Sequence, residues 1–387
     1  MKIAHISPDE KFVKSIQWQF EKIFPQQNSF FVFLANNVES TKYVQEGGAV
    51  KLFKDDSKGV RKILEEIKYY DLVILHGLKY FQSRIVLKAS TNDNFVWFFW
   101  GGEIYDNPKA VGDKMLGQET KKRFLALNIF KELKKTIRPA YYLLKFRSKT
   151  PEASVLKAAK KIPYIGIIHE EEVDFLKQND FIGRFAKFVP MTYYPLEFVF
   201  KGIEGITITG KNILLGNSAS LTNNHLEAFD KIMRLNLEDR KLVVPLSYGD
   251  SRYAMEICKE GKNIFGKTFS PILDFMPLQE YNRMLSSCSI VVMNHYRQQA
   301  VGNILAMLWM GAKIYLNESN TFYQYLKNEG IHIFSIDMDL VNENPEVLDE
   351  LTPIQIQTNR EKLLKRISFN AIKDKLREEL LNIANGD

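Results

Sequence analysis

The chain has 387 residues, of which 45% are hydrophobic and 26% charged, and its formal net charge is +7. This length predicts two domains, and the composition is that of a globular protein rather than of a disordered chain. Its two cysteines, Cys258 and Cys288, exclude a disulfide framework and fit a reducing compartment. The first residues lack the apolar core of a signal peptide, and the sequence has no apolar run of 18 residues that would span a bilayer.

Short apolar strands alternate with helical segments along the whole chain. Strands are predicted at 3–6, 30–34, 50–53, 72–75, 95–99, 164–168 and 185–189, and then at 212–215, 242–246, 269–273, 290–293 and 313–316. Helices are predicted at 60–68 and 170–178, from Asn223, at 252–260, 279–287 and 302–310, from Thr321, and over 354–385. This alternation predicts the α/β class, with parallel sheets in two Rossmann-like domains that face each other. We place the first domain at 1–195, the second at 210–353 and closing helices at 354–387.

A candidate phosphate site follows the strand that opens the second half, in the sequence ILLGNSASLTNNH. Small residues between a strand and a helix leave backbone N–H groups free to hold an anion. An ordinary strand–helix turn is the alternative reading, because Gly, Asn and Ser are common in turns. Asn223 is predicted to cap the helix and His225 to lie in its first turn, facing the ligand. The candidate binding residues are Gly216, Asn217, Ser218, Ser220, Asn223 and His225.

A second candidate site follows the strand IVVMNHY, in the sequence RQQAVGN. The planar guanidinium of Arg297 suits a diphosphate, because it donates two parallel hydrogen bonds. Gln298 and Gln299 follow it, and Gly302 and Asn303 open the next helix, whose N-terminus carries positive partial charge. Ligands of doubly wound sheets bind beyond the carboxyl ends of the strands, where both candidate sites fall.

Three further residues are candidates for the nucleoside part of a ligand. Tyr248 and Gly249 end the strand LVVPLSYG and are candidates for lining a base or ribose pocket. Glu318, in the loop after the strand at 313–316, is a candidate acceptor of hydrogen bonds from a ribose diol. A plain turn and a solvated loop glutamate are the alternative readings.

Two blocks in the first half also lie at strand ends. His76-Gly77 ends YDLVILHG, and WGGEIY follows the next strand. Glu103 in the second block is a candidate general base toward a hydroxyl, a role that contributes about 10²–10⁴-fold to rate. A structural role as a helix cap or an ion-pair partner is the alternative. Asp9, after the first strand, is the competing carboxylate.

The positive charge is concentrated in residues 121–161, which contain thirteen Lys or Arg and only two acidic residues, Glu132 and Glu152. Apolar residues at near-helical spacing alternate with these charges, as in FLALNIFKELKKTIRPAYYLLKFR. This pattern is typical of a helix that lies on an anionic membrane surface. A nucleic-acid surface is disfavoured because no recognition motif accompanies the charge. A solvated helix with one buried face is the remaining alternative.

These residues together resemble a known family. The turn GNS with Asn223 and His225, the strand end VVPLSYG, RQQ before Gly302, and LNESNTF are similar to the bacterial transferases of glycosyltransferase family 56. Those enzymes move 4-acetamido-4,6-dideoxygalactose from its TDP form to an undecaprenyl-linked disaccharide, the lipid II of enterobacterial common antigen. In the first half, His76-Gly77 and WGGEIY agree more sparsely, and Glu103 stands where the family carries an aspartate.

The resemblance implies a GT-B fold with two parallel sheets facing across a cleft, inverting transfer, no cofactor and no metal. We therefore predict a peripheral enzyme on the cytoplasmic face of the bacterial inner membrane, with a TDP-sugar donor and a lipid-linked acceptor. Glu103, or Asp9, would take the acceptor proton, and Arg297 would stabilise the departing diphosphate. The alternatives are a nucleotide-sugar 2-epimerase of the same architecture and a non-catalytic membrane-binding scaffold.

Overall fold

The computed structural model describes residues 1–35, 37–44, 47–125, 129–146, 149–199 and 203–386; over 129–136 and at 146 it describes the backbone alone. The chain forms two compact units. Unit 1 comprises Met1–Gly112, Ile129–Pro195 and Phe369–Asp387, and unit 2 comprises Asp113–Asn128 and Leu196–Ser368.

Unit 1 is built on a parallel sheet of seven strands in the order β3-β2-β1-β4-β5-β6-β7. The strands are β1 Ile3–Pro8, β2 Asn28–Leu34, β3 Val50–Lys54, β4 Leu72–His76, β5 Phe95–Phe98, β6 Tyr164–Ile167 and β7 Lys187–Pro190. The central strands are buried along their whole length, which explains why they read as unbroken apolar runs. Strands β1 to β3 are added toward one edge of the sheet, and strands β4 to β7 are added toward the other. The topological switch point of the sheet therefore lies between β1 and β4.

Unit 2 is built on a parallel sheet of six strands in the order β10-β9-β8-β11-β12-β13. The strands are β8 Asn212–Leu215, β9 Leu242–Pro245, β10 Phe269–Ile272, β11 Cys288–Met293, β12 Lys313–Leu316 and β13 Phe334–Ser335. The switch point of this sheet lies between β8 and β11. These two strands lead into the two segments for which the sequence predicts a phosphate site.

Helices connect the strands in both units. In chain order they are α1 Val13–Ile23, α2 Ser57–Glu66, α3 Tyr80–Lys88, α4 Gly102–Tyr105, α5 Gln118–Phe124, α6 Ile129–Phe146, α7 Pro151–Ala159, α8 Glu170–Gln178, α9 Leu196–Val199, α10 His225–Ile232, α11 Ser251–Phe265, α12 Leu278–Ser286, α13 Val301–Met310, α14 Thr321–Asn328, α15 Pro353–Ile367 and α16 Phe369–Asn385. Among the described residues, none of these helices is both long and apolar enough to cross a membrane.

The contacts divide the chain at points other than the predicted boundaries. The closing helices separate: α15 packs against α13 in unit 2, whereas Leu376 and Leu380 of α16 are buried in the core of unit 1. Residues 113–128 lie within the predicted first domain but pack with unit 2. Apolar side chains on α16, and polar contacts of α5 described below, account for both differences.

The helix after the phosphate turn begins two residues later than predicted. Residues Leu221–Asn223 form a turn of 3-10 helix, and α10 begins at His225. Asn224, with φ of 48°, occupies the N-cap position in the left-handed region that asparagine tolerates better than most residues. Asn223 is therefore not the cap of α10.

Candidate active site

The turn after β8 requires glycine at position 216. Gly216 has φ of +68°, which side-chain-bearing residues rarely adopt. A Cβ atom there would lie 2.6 Å from Asn223 Oδ1 and 2.7 Å from His225 Nε2. The backbone of the turn therefore passes directly over two side chains from the start of the following helical segment.

Asn223 holds this turn in place from below. It is fully buried, and its Oδ1 accepts the backbone N–H of Asn217 at 2.9 Å. The same oxygen lies 2.9 Å from His295 Nε2, so that nitrogen carries the ring proton and donates it to the amide oxygen. Asn223 Nδ2 in turn donates to Ser218 Oγ at 3.2 Å. The side chain predicted to cap a helix instead fixes the candidate phosphate turn and joins it to the end of β11.

His225 lies behind the turn and is fully buried. Its Nδ1 is 2.9 Å from the Tyr253 hydroxyl, and its Nε2 has no hydrogen-bond partner among the described residues. Burial lowers the pKa of His225 to about 3, so the ring is neutral at physiological pH. His225 supports the backbone at Gly216 and carries no positive charge to offer a phosphate.

Gln299 connects the two segments that the sequence analysis selected. Its Oε1 accepts the Thr222 hydroxyl at 2.7 Å, and its Nε2 donates to Asn217 Oδ1 at 3.3 Å. The residues lie 77 and 82 positions apart in sequence. The turn after β8 and the loop after β11 therefore form one polar site at the switch point of the sheet.

Helix α13 begins beside this site. Ala300, in the left-handed region with φ of 58°, is its N-cap residue and makes no side-chain capping hydrogen bond. The helix begins with three half-buried residues, Val301, Gly302 and Asn303. The Asn303 side-chain amide donates to the Tyr281 hydroxyl at 3.1 Å. An uncapped helix N-terminus offers backbone N–H groups and positive partial charge to an anion.

Arg297 is half-buried on the same loop, as is its neighbour Gln298. Burial first, and then the nearby Arg297 guanidinium, hold the pKa of His295 well below its usual range. Arg297 follows two residues after His295, which bonds Asn223 under the turn. The loop that carries Arg297, the N-terminus of α13 and the glycine turn after β8 therefore lie together at the switch point of the sheet.

The neighbouring strands complete this edge. Ala219 donates its N–H to Tyr248 O at 2.7 Å, and a Cβ on Gly249 would lie 2.4 Å from Ala219 O. The Tyr248 side chain is 81% exposed. On the other side, Asn317 donates to Asn294 Oδ1 at 3.1 Å, and the exposed Glu318 follows it.

Residues 113–125, which include α5, pack against α10, the helix that follows the turn. Asn224 Oδ1 accepts the Gly117 N–H at 2.9 Å, and Asn224 Nδ2 donates to Met115 O at 3.2 Å and to Asn294 O at 3.1 Å. The Glu227 carboxylate accepts both the N–H and the hydroxyl of Thr120, at 2.9 and 2.6 Å. These contacts explain why residues 113–128 belong to unit 2.

Glu103 in unit 1 lies in the first turn of the short helix α4 after β5. Its Oε1 accepts the Trp97 indole N–H and the Trp100 backbone N–H, each at 3.1 Å. Burial raises the pKa of the Glu103 carboxyl, although the hydrogen bonds from its own backbone and from Trp100 and Trp97 oppose this shift. One oxygen thus has a structural role, and a raised pKa brings the group closer to the range of a general base.

The Asp9 carboxylate is bonded differently. Its Oδ1 accepts the backbone N–H groups of Tyr43 and Val44, each at 3.0 Å, and its Oδ2 accepts the N–H of Lys42. Both oxygens therefore hold the loop that follows β2. This arrangement favours Glu103 over Asp9 as the candidate base.

Comparison with known proteins gives a family match for the part of the chain that contains the candidate residues of unit 2. Residues 200–360 match the family model described as 4-alpha-L-fucosyltransferase glycosyl transferase group 56. The predicted resemblance to glycosyltransferase family 56 is confirmed over this range. It contains β8 to β13 and every candidate residue of unit 2.

The architecture is shared with solved structures of very different sequence. The sucrose-phosphate synthase of Thermosynechococcus elongatus superposes with a TM-score of 0.66 at 9% identity, covering 100% of both chains. Anabaena HepE in complex with UDP gives 0.59 at 10% identity over 99% of this chain and 100% of HepE. The UDP-forming trehalose-phosphate synthase of Burkholderia vietnamiensis gives 0.57 at 9% identity over 100% of both chains. The neighbours have the GT-B fold, and the predicted fold class is confirmed.

The family match and the fold support a nucleotide-sugar glycosyltransferase. Such an enzyme takes its sugar from a nucleotide donor, which is a substrate and not a cofactor. Within the described ranges, no group of three or more His, Cys, Asp or Glu side chains is arranged to hold a metal ion. Thr222 and His295 bond Gln299 and Asn223 in this site, but the sequence analysis did not select them. The Asn-His pair at the end of the strand IVVMNH is the signal that could have identified His295.

Proposed function

We propose that the protein is an inverting glycosyltransferase that moves a deoxyamino sugar from a TDP-sugar to a lipid-linked glycan acceptor. The observation that carries this proposal is the junction of the two loops at the switch point of unit 2. Gln299 bonds the turn after β8, and the uncapped α13 begins two residues after Gln299. Family 56 of glycosyltransferases, matched over this unit, supplies the reaction class.

The donor diphosphate would bind the turn at Gly216–Ser220, the first turn of α13 and Arg297. As the bond between the anomeric carbon and the phosphate oxygen breaks, negative charge grows on the departing diphosphate. Fixed N–H dipoles and a guanidinium stabilise that charge without reorganising, which is the usual source of large electrostatic rate effects. These groups occupy the role that a metal has in other transferases, and we propose a metal-independent reaction on this basis.

The description of the matched family supports the proposed donor sugar. Its description names an α-L-fucosyl transferase, and fucose is a 6-deoxygalactose. The proposed donor, TDP-4-acetamido-4,6-dideoxygalactose, has the same 6-deoxygalactose framework with an acetamido group at C4. Tyr248 and Glu318, both exposed at the strand ends flanking the diphosphate, are the candidates for contacting base and ribose. HepE, one of the structural neighbours, binds UDP, which supports a nucleoside diphosphate as ligand.

Glu103 is the proposed general base. The acceptor hydroxyl oxygen attacks the anomeric carbon from the face opposite the diphosphate, so that configuration inverts. One C–O bond forms, the bond to the leaving diphosphate breaks, and the acceptor proton passes to the Glu103 carboxylate. Glu103 Oε1 is held by Trp97 and Trp100, which orients the group and leaves Oε2 for the acceptor.

Helix α6 supports a lipid-linked acceptor and attachment to the cytoplasmic face of the bacterial inner membrane. Ile137, Tyr141 and Leu144 are 55%, 46% and 84% exposed, and their spacing puts them on one face of the helix. Arg138 and Lys145 flank this face. Exposed apolar residues beside basic ones are what an interfacial helix presents to anionic lipid. Eight further members of the predicted surface lie outside the described residues or side chains: Leu127, Ile129, Phe130, Lys131, Lys134, Lys135, Phe146 and Arg147.

A nucleotide screen followed by product analysis tests the proposal. Thermal unfolding would be measured with TDP, UDP, GDP and CDP; the proposal expects TDP to raise Tm, because a ligand bound only by the folded state stabilises it. A non-catalytic scaffold expects no shift with any nucleotide. Mass spectrometry of membrane lipids incubated with the TDP-sugar then separates transfer from 2-epimerisation, which leaves the lipid unglycosylated.

A further inference from the structure

Four aromatic side chains gather where β1, β5 and β7 end in unit 1. Phe12, Trp100, Tyr193 and Tyr194 are each half-exposed. The Phe12 ring centroid lies 5.8 Å from those of Trp100 and Tyr193 and 5.7 Å from that of Tyr194. Trp100 and Tyr193 are 6.1 Å apart, edge to face. We call this cluster the aromatic floor.

Gly77 seats the largest ring of the floor. It follows β4 with φ of +72°, and a Cβ there would lie 2.8 Å from Trp100 Cε3 and 3.0 Å from Cδ2. The indole therefore lies directly against the Gly77 backbone. Glycine is required at position 77 for two reasons. It adopts a positive φ without strain, and it leaves the space that Trp100 fills.

His76 and His5 hold Tyr193 from below. Asn28 Nδ2 donates to Phe24 O at 2.8 Å, so Asn28 Oδ1, 3.3 Å from His5 Nε2, accepts the proton of that nitrogen. His5 Nδ1 must then accept from His76 Nε2 at 3.0 Å. His76 Nδ1, the remaining acceptor, receives the Tyr193 hydroxyl proton at 2.9 Å.

This chain of hydrogen bonds is neutral. Burial lowers the pKa of His5 to about 3 and holds the pKa of His76 well below its usual range, while burial raises the pKa of Tyr193 well above its usual range. Every proton in the chain has one assigned direction, and the Tyr193 ring is fixed in orientation. A buried network of this kind builds a rigid platform under a surface whose rings remain half-exposed.

The candidate base adjoins the floor. The Trp100 backbone N–H donates to Glu103 Oε1 at 3.1 Å, so the indole and the carboxylate are held by the same three-residue turn. Rings that are half-exposed and rigid, beside a carboxylate with a raised pKa, form a surface that is apolar in the middle and carries one proton acceptor. Binding sites for small polar molecules commonly combine these elements.

We propose that the aromatic floor binds the apolar face of the acceptor's sugar ring and presents one of its hydroxyl groups to Glu103. A pyranose ring has a face of C–H bonds, whose partial positive charge suits the negative face of an aromatic ring. The hydroxyl groups at the rim of the sugar then point sideways, toward the carboxylate. The inference rests on the proposed function, since it uses Glu103 as base, and it adds the acceptor's sugar as the group that is recognised.

Saturation-transfer NMR with octyl N-acetyl-β-D-glucosaminide as probe tests the floor. In the unmodified protein, saturation is expected on the pyranose ring protons. Trp100→Ala and Tyr194→Ala should weaken binding of the probe about tenfold, the change expected for losing one aromatic stacking partner. Tyr69→Ala, which removes an aromatic side chain that is 75% exposed elsewhere in unit 1, should leave binding unchanged.

The outcomes separate this inference from the proposed function. Equal binding by all variants, or saturation confined to the octyl chain, overturns the floor as a sugar site; the latter result identifies a surface for the lipid instead. Stabilisation by TDP, measured on the same samples, reports on the donor site and on folding. Trp100→Phe keeps a ring against Gly77 and should retain probe binding, which distinguishes lost stacking from a disrupted unit 1. If the probe binds but no nucleotide does, the proposed function fails, and the floor is a sugar-binding surface but not an acceptor site.

Discussion

The Gln299 side-chain amide donates to Asn217 Oδ1 at 3.3 Å, across 82 residues of sequence. The contact unites two segments that each carry a weak signal alone. Gln299 Oε1 also accepts the Thr222 hydroxyl proton, so one side chain bonds both ends of the turn after β8. Hydrogen bonds between side chains therefore join the two loops of the proposed donor site.

Gln299→Ala should lower the affinity for TDP about tenfold, because two hydrogen bonds of about 0.5–1.5 kcal/mol each fix the turn. Isothermal titration calorimetry measures the change. Gln357→Ala is the matched control, since Gln357 is an exposed glutamine of α15 that bonds Glu361 within its own helix. Equal affinities in both variants would show that Gln299 does not organise the site.

Glu103→Gln should reduce turnover by about 10²–10⁴-fold while leaving TDP affinity unchanged. Glutamine keeps the oxygen that accepts from Trp97 and Trp100 but cannot take a proton. Asp9→Asn is the comparison: its carboxylate holds the N–H groups of Tyr43 and Val44, so we expect lower stability with turnover per folded molecule retained. A reversed result would make Asp9 the base.

The raised pKa of Glu103 has two consequences for pH dependence. Activity needs the carboxylate, so the acid limb of kcat should lie above the pKa of a free glutamate. The folded state also retains the Glu103 proton more strongly than the unfolded state does, so this group's contribution to the free energy of unfolding falls as pH rises through the two pKa values. Glu103→Gln should remove that fall. Urea unfolding measured from pH 4 upward compares the two proteins, about one pH unit at a time.

Gly117→Ala should destabilise unit 2 by about 1–3 kcal/mol, the usual consequence of overpacking. A Cβ at this position would lie 2.1 Å from Glu227 Oε1, which holds Thr120 of α5. In a Glu227→Ala background the clash disappears, and the same substitution should cost much less. Chemical denaturation of the four proteins of this cycle yields the coupling energy. Additive effects would contradict the docking of α5 on α10.

Leu144→Ser should weaken binding to anionic liposomes about tenfold, the change expected when one leucine no longer enters the interface. Flotation at low and high salt measures both the apolar and the electrostatic parts of binding. Leu364→Ser, at a 45% exposed leucine of α15, is the control. Binding that is equal in both variants, or insensitive to salt, would argue against α6 as the membrane surface.

The sequence predicted the strands well because buried parallel strands are unbroken apolar runs. It also placed both candidate loops at strand ends, where doubly wound sheets bind ligands. The start of α10 was missed because Asn224 adopts left-handed backbone, and Asn223, which looks like a cap, bonds Asn217 and His295 instead. A local pattern cannot reveal that the Asn223 side chain bonds His295, which lies 72 residues away.

The division into units could not be predicted for the same reason. Residues 113–128 join unit 2 through Thr120 and Glu227, whose pairing depends on the tertiary fold. His76 and Gly77 were visible as a motif, but their roles under Tyr193 and Trp100 depend on the order of strands in the sheet. Sequence periodicity identifies individual strands and helices, but their tertiary packing decides which strand ends lie side by side.

We propose that a nucleoside diphosphate binds where β8 and β11 end, with Arg297 on its phosphates. The decisive measurement is calorimetric titration of TDP and of thymidine into Arg297→Ala, with Arg283→Ala, an exposed arginine of α12, as control. We predict that Arg297→Ala weakens TDP about 10- to 100-fold, as expected for charge-assisted hydrogen bonds, and leaves thymidine and the control unaffected. Unchanged TDP affinity in Arg297→Ala would contradict this placement of the donor site.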